Sequence, residues 1–224
     1  MPERGRKRRH ASTQAMRHGS RGEEAYRYLK TVIVSADLPA GSAINEIAIA
    51  GKLGISRTPL REAVRRLEQE GLVVRFPNRG VFVRQLAMQE ILEIWQIREW
   101  LEPPACQVAA GRIDRSALER LQRALVGVGE AETGFDSYET HHRIDLELHA
   151  MIVEATGNTT LKALLDGLTD RIRHIRIVHS PARLRASVEE HLEIIVALLA
   201  GDGTLAGEAM RKHLRNSREN LLLL

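Results

Sequence analysis

From Ser56 onward, apolar residues fall at Leu60, Ala63, Val64 and Leu67, the 3.6-residue period of a helix with one buried side. Arg57, Arg61 and Arg65 recur every four residues on another side, so the same helix has a cationic face. Ser56 is placed to cap it, and Pro59 is tolerated in a first turn whose amides have no intrahelical partner. Upstream, Ala25, Leu29, Val32, Ile33 and Ala36 mark the buried side of a helix from about Glu23 to Ala36, closed by Leu38-Pro39-Ala40-Gly41. Asn45 caps a short helix, Glu46 to Lys52, which Gly54 ends. Two helices in this order across a tight glycine-containing turn form a helix-turn-helix.

After Gly71 the period changes. Leu72-Val73-Val74-Arg75-Phe76, a turn at Pro77-Asn78-Arg79-Gly80, and Val81-Phe82-Val83 predict a β-hairpin. Its tip carries Arg79 and Gly80, a glycine that permits close backbone approach. A helix-turn-helix followed by such a hairpin is a winged helix. Beyond residue 86, apolar periodicity marks helices near 88–110, 115–132, 137–156, 160–178, 182–201 and 204–222 and no strands. The expected fold is mainly α, with an N-terminal winged helix-turn-helix over 22–86 and a C-terminal all-helical bundle over 87–224. Pro103-Pro104 is expected to kink or interrupt the first helix of the bundle. Residues 1–21 carry almost no apolar side chains and read as a disordered basic tail.

Aromatics make up only 4% of the chain, so its 43% hydrophobic content comes mostly from Leu, Ile, Val and Ala, which favours packed helices. The net charge of +4 hides an asymmetry. Residues 1–86 carry 17 Lys/Arg against 8 Asp/Glu, and the remainder 16 against 21. A basic module joined to a mildly acidic one suggests a polyanion binder attached to something else. The single cysteine, Cys106, excludes an internal disulfide framework and fits a reducing compartment, so a cytoplasmic location is expected. No apolar run is long enough to span a bilayer, and the basic start lacks a signal peptide's apolar core. No Ser-His-Asp signature, Walker loop or dinucleotide glycine pattern is present.

In the helical half, Asp145 and His149 stand one turn apart on one helix face. His191 and His213 lie within two other helices, each flanked by aliphatic residues. If the four converge, three imidazoles and a carboxylate suit zinc or nickel, with manganese or iron a poorer match. Spacing alone leaves open that they are three amphipathic-helix histidines and a solvated aspartate. Asn216, Ser217 and Asn220 share a helix face with His213, and Arg98 sits among Ile94, Ile97 and Leu101. Arg98 reads either as a bidentate carboxylate clamp or as a salt-bridge partner of Glu102. Arg143, Arg173 and His174 are further polar candidates. His141 and His142 are expected to face solvent, and Cys106 to be a core residue.

Certain runs are more specific than periodicity. Pro39-Ala40-Gly41, Glu46, Leu53-Gly54-Ile55-Ser56-Arg57-Thr58-Pro59-Leu60-Arg61-Glu62-Ala63, Leu67-Glu68, Glu70-Gly71-Leu72 and Pro77-Asn78-Arg79-Gly80 together resemble the DNA-binding domain of GntR-type bacterial transcription regulators over residues 22–84. Ile47 departs from that pattern, since relatives often place a polar or basic DNA-contacting side chain there. Asp145-x-x-x-His149, Thr156-Gly157-Asn158, Glu190-His191, Ala197-Leu198, Gly201-Asp202 and Met210-x-x-His213-Leu214 are similar to the metal-binding pattern of the FCD effector domain found in the FadR-like branch. The resemblance implies a metal in the bundle cavity that helps hold a small organic or sugar acid, with Arg98 towards the ligand.

These readings predict a ligand-responsive regulator, most often a repressor in such families, that is not an enzyme. A homodimer would grip a pseudo-palindromic operator in double-stranded DNA. Arg57 and Arg61 are expected to read guanine edges with Thr58 aiding, Arg65 to contact phosphate, and Arg79 and Gly80 to bring the wing to the minor groove. Effector contacts are expected from Arg98, Asn216, Ser217 and Asn220. A metalloenzyme using the Asp/His set is the alternative, weakened by the lack of a general base beside it. A purely architectural DNA binder is a third, against which the Ser56-to-Ala63 run argues.

Overall fold

The computed structural model describes residues 21–131, 134–173 and 180–222. Helix α1 spans 21–34, α2 Glu46–Leu53 and α3 Arg57–Gln69, followed by the strands β1, Val73–Phe76, and β2, Gly80–Val83. The bundle helices are α4 (Met88–Ala109), α5 (Arg115–Glu130), α6 (Phe135–Ala155), α7 (Thr159–Ile172), α8 (Pro181–Ala200) and α9 (Gly203–Leu221). The chain forms two compact units, one up to Leu86 joined by the end of α7 from Thr169, the other made of the rest from Ala87 onward. Except for Arg21, the tail expected over 1–21 lies outside the described residues, as does the end of the helix expected to reach 178.

In the first unit, Leu60, Ala63, Val64 and Leu67 of α3 are buried with Leu29 and Ile33 of α1 and with Leu72, Val73, Val81 and Val83 of the hairpin. Each such aliphatic burial stabilises by about 1.5–3 kcal/mol before the entropy of ordering is charged against it. The hairpin pairs Val73 with Val83 and Phe76 with Gly80, antiparallel. Its free edge is covered by residues 41–44: Ala43 bridges Phe82, and the Ile44 N–H donates to Val81 O at 2.8 Å. That third edge carries no strand pattern in the sequence.

Two details differ from expectation. Helix α1 begins at 21 and stops two residues before Ala36, because Ala36 turns left-handed at φ 60° and the Leu38 N–H closes back on Val32 O at 2.8 Å. Ser56 occupies the cap position of α3, yet its side chain makes no capping hydrogen bond. The amide that a capping side chain most often takes, three residues on, belongs here to Pro59, which has none. Asn45 does cap α2, accepting from Ile47 and Ala48 at 3.1 and 3.0 Å, and Gly54 ends that helix at φ 62°.

In the second unit, α4 runs unbroken through Pro103 and Pro104, contrary to the interruption expected of them. The pair removes two amide donors, but tertiary packing carries the helix across: Pro103, Ala105, Cys106 and Ala109 are buried, and α9 lies close against α4. Contact is so close that a Cβ at Gly203 would fall 2.6 Å from Gln107 O and one at Gly207 3.0 Å from Pro103 O. Cys106 belongs to the core, as expected, and its burial pushes the thiol pKa up to about 12. Asp114, Ser180 and Asp202 cap α5, α8 and α9, which fixes where each helix begins and hence the phase of its inward face. Among the described residues no helix is long and apolar enough to cross a membrane.

Candidate metal centre and nucleic-acid interface

Helix α6 buries Ile144, Leu148 and Ile152, and that phase turns Asp145 and His149 towards α8 and α9. On α8, Ile194, Ile195 and Leu198 fix His191 inward; on α9, Met210 and Leu214 do the same for His213. One ligand atom from each of Asp145, His149, His191 and His213 lies within 4.8 Å of all the others. From Asp145 Oδ1 the distances are 3.0 Å to His191 Nε2, 3.6 Å to His149 Nε2 and 3.8 Å to His213 Nε2. Ligand atoms of a tetrahedral ion with bonds of 2.0–2.2 Å stand about 3.4 Å apart, and the observed distances bracket that spacing.

The donor set also fits a cation chemically. All three imidazoles are buried. His191 has no hydrogen-bond partner on either ring nitrogen among the described residues, and His149 Nε2 has none either. The 3.0 Å approach of His191 to Asp145 therefore lacks the alignment of a hydrogen bond. Burial alone would raise the Asp145 pKa, yet His191, His149 and His213 around it hold the carboxyl well below its usual range. Burial and the His191 ring press His213 down to about 3, so its ring is neutral at neutral pH and able to ligate. Asp145, His149, His191 and His213 are able to hold a metal ion.

Behind these four residues stand two glutamates whose part in the site the sequence did not assign. Glu102 of α4 contacts His149 Nδ1 and accepts from Arg98 Nε at 2.5 Å. Glu190 of α8 accepts from His213 Nδ1 at 3.0 Å and is gripped by both Arg183 Nη atoms at 2.8 and 2.9 Å. Glu102 was visible as the i+4 neighbour of Arg98. Glu190 stood in the sequence only as the neighbour of His191, and its contact with His213, 23 residues on, forms because α9 approaches α8.

Arg98 is buried in the pair with Glu102 and reaches within 3.3 Å of His149 Nδ1, so it lies on the far side of that ring from Nε2. Asn216 donates to Glu190 at 2.8 Å, and Ser217 accepts from Arg183 at 3.2 Å. Asn220 is half-buried one turn further on. Arg143 is exposed and Arg173 half-buried, while His174 lies outside the described residues. His142 faces solvent, but His141 does not: it is buried with its ring 5.1 Å from that of His191. Two adjacent residues on a helix point about 100° apart, so only one of the pair could share the inward face.

On the first unit, Arg57, Thr58, Arg61 and Arg65 are all exposed along α3, and Arg79 and Gly80 are exposed on the hairpin tip. Gly80 takes φ 96° with nothing near a Cβ position, so the backbone there is open to close approach. Arg61 Nε is 3.5 Å from Glu46 Oε2, and Arg75 Nη1 is 3.7 Å from Glu46 Oε1. Ile47 projects from α2 into solvent, 65% exposed, beside this basic face.

The bacterial regulatory proteins, gntR family, match residues 21–83, and the FCD domain matches residues 93–216, more than half of the chain. The chain belongs to the GntR family, with an FCD domain. It is similar to the Nta operon transcriptional regulator of Aminobacter aminovorans, 34% identical over 167 residues that cover 75% of this chain and 78% of that one. It is also similar to the HTH-type transcriptional repressor RspR of Escherichia coli K12, 26% identical over 206 residues, 89% of this chain and 88% of that one. Among solved structures, E. coli McbR/YncC shares the fold with a TM-score of 0.74 over 91% of this chain and 97% of that one, at 22% identity. GntR-type regulators bind DNA operators and FCD domains bind small-molecule effectors. This chain is thus a DNA-binding transcriptional regulator and not an enzyme.

Proposed function

We propose that this regulator is a cytoplasmic, homodimeric repressor whose helical unit binds zinc or nickel and, on that ion, a small organic or sugar acid. The observation that carries the reading is the convergence of one carboxylate and three imidazoles from three helices within 4.8 Å, in a chain whose other unit presents arginines on a helix-turn-helix. Asp145, His149, His191 and His213 would hold the ion. A cation with coordination positions left open supplies attraction for carboxylate and hydroxyl oxygens. The polar edge of α9 at Asn216, Ser217 and Asn220 would add donors around the acid, while Arg98, held by Glu102 behind His149, would act on that ring and not on the acid. Such a site senses and does not react.

On DNA, Arg57 and Arg61 would read guanine edges in the major groove of a pseudo-palindromic operator, with Thr58 aiding. Arg65, farther along α3, would take a phosphate, and Arg79 with Gly80 would bring the hairpin to the minor groove. Acid and ion would shift the balance between DNA-binding and non-binding arrangements of the dimer.

A thermal-shift screen of organic and sugar acids, with and without added zinc or nickel, tests the sensor. A ligand that binds only the folded state raises the melting temperature. The expected result is an acid that stabilises the protein only when the ion is present. Equal shifts with and without metal would remove the ion from the effector site.

A further inference from the structure

Two of the three histidines are not free to choose which nitrogen carries their proton. His149 Nδ1 meets Glu102 Oε2, and the other oxygen of Glu102 takes Arg98 Nε at 2.5 Å, with all three side chains buried. His213 Nδ1 meets Glu190 Oε2 at 3.0 Å, and Arg183 grips Glu190 through both terminal nitrogens. Asn216 Nδ2 fills a further acceptor site on Glu190 at 2.8 Å, and Ser217 Oγ accepts from Arg183 at 3.2 Å. The same chain of contacts, arginine to glutamate to histidine Nδ1, is therefore built twice, from different helices.

An ionised carboxylate offers only acceptors, so a ring nitrogen against it must be the protonated one. A neutral imidazole then keeps its lone pair on the other nitrogen. Arg98 Nη2 also lies 3.3 Å from His149 Nδ1, which would suit a lone pair there. That lone pair would face the Glu102 oxygen at closer range, whereas a proton satisfies Glu102 and leaves Arg98 on the carboxylate. Both Nε2 atoms thus turn lone pairs towards Asp145, at 3.6 and 3.8 Å from its Oδ1. His191 has nothing comparable, since neither ring nitrogen has a hydrogen-bond partner among the described residues.

We infer that Glu102 and Glu190 are positioning residues of the metal centre, each pinning the proton of one histidine on Nδ1 so that Nε2 is set to bind the ion, and that Arg98 and Arg183 hold the two carboxylates in place. The inference rests on the reading of the four-residue cluster as a metal centre. Two ligands are then preset before the ion arrives, and His191 is the one whose proton position is settled by the ion itself. Outer carboxylates of this kind orient the ring and raise its basicity, and losing one typically weakens metal binding 10–100-fold. Glu190 also ties α8 to α9 through Asn216 and His213, so the same residue links the ion to the packing of two helices.

The test uses the metal-free full chain labelled with 15N in histidine, and zinc as the probe. In the wild type, NMR is expected to show His149 and His213 protonated on Nδ1 and His191 not held to one form. Glu190→Leu is expected to release His213 into a mixture of forms, leave His149 as it was, and weaken zinc binding 10–100-fold against a competing chelator. Glu190→Gln, whose amide oxygen still accepts from Nδ1, is expected to keep the His213 form and lose less affinity. A wild-type spectrum with His213 protonated on Nε2 overturns the inference even if neither variant folds. So does a Glu190→Leu protein that binds zinc weakly with His213 unchanged, because packing alone would then explain the loss. A wild-type chain that takes up no zinc, nickel or other divalent ion overturns the metal reading itself, and the wild-type titration separates that failure from the others.

Discussion

Asp145 of α6 and His191 of α8 stand 3.0 Å apart, Oδ1 to Nε2, without the alignment of a hydrogen bond. Asp145 is half-buried and His191 fully buried, and ligand atoms of His149 and His213 lie within 4.8 Å of both, so the four residues surround one point where an ion could sit. Removing one contributor should empty that point. His191→Ala protein, purified under conditions that load the wild type, is expected to lose most of its bound metal when assayed by elemental analysis. Retention of the wild-type metal content would show that the four residues are not the site.

The metal-free protein should weaken in mild acid. His213 is pressed down to about 3 from an ordinary histidine value near 6.5, so between those pH values the unfolded chain binds a proton that the folded one refuses. Stability from this group is complete above about pH 6.5 and drains away as pH falls towards 3. Glu102, buried but held at about 2 by Arg98 and His149, adds a loss that begins below about pH 4.5. Urea midpoints of the metal-free chain are expected to drop steadily from pH 7.5 to pH 4. A flat profile would contradict the burial of a neutral His213.

Arg61 and Arg65 should differ on DNA. Arg61→Ala is expected to cost about 1–3 kcal/mol at the operator and less on random sequence, the mark of a base contact. Arg65→Ala should weaken both by similar amounts and reduce the salt dependence of binding. Anisotropy titrations on operator and scrambled duplexes separate the two. Equal losses on both sequences for Arg61→Ala would place it on the backbone.

Gly203 is a packing requirement. Alanine there gains helix propensity of up to about 1 kcal/mol, but its Cβ would sit 2.6 Å from the backbone oxygen of Gln107. Overpacking of this kind costs about 1–3 kcal/mol, so Gly203→Ala is expected to lower the denaturation midpoint. Gly51→Ala, in α2 with nothing within 4 Å of a Cβ, is the control and should be neutral or stabilising. A stabilised Gly203→Ala would show that α9 does not lie this close to α4.

The helices were legible because their apolar residues keep the 3.6-residue period: Leu60, Ala63, Val64 and Leu67 are buried as that period requires. The Asp/His cluster was legible because Asp145 and His149 share a turn and because the flanking motifs match a known domain. What escaped depends on contacts between distant segments. Glu190 and His213 meet only through the approach of α9 to α8, and the edge at Ala43 forms only because the hairpin lies beside it. Pro103-Pro104 do not interrupt α4, because the packing of α4 on α9 overrides the local rule about lost donors. Ser56 makes no capping hydrogen bond because Pro59, three residues on, has no amide to donate.

The helical unit is proposed to govern DNA binding through the ion. The most direct measurement is the operator affinity of the zinc-loaded wild type and of Asp145→Asn, with and without the acid found by the thermal screen, on a duplex selected from a randomised pool. The acid is expected to change the wild-type dissociation constant at least fivefold, a coupling of about 1 kcal/mol. Asp145→Asn is expected to bind the operator like the acid-free wild type and to ignore the acid. An equal response in both proteins, or none in the wild type, would contradict it.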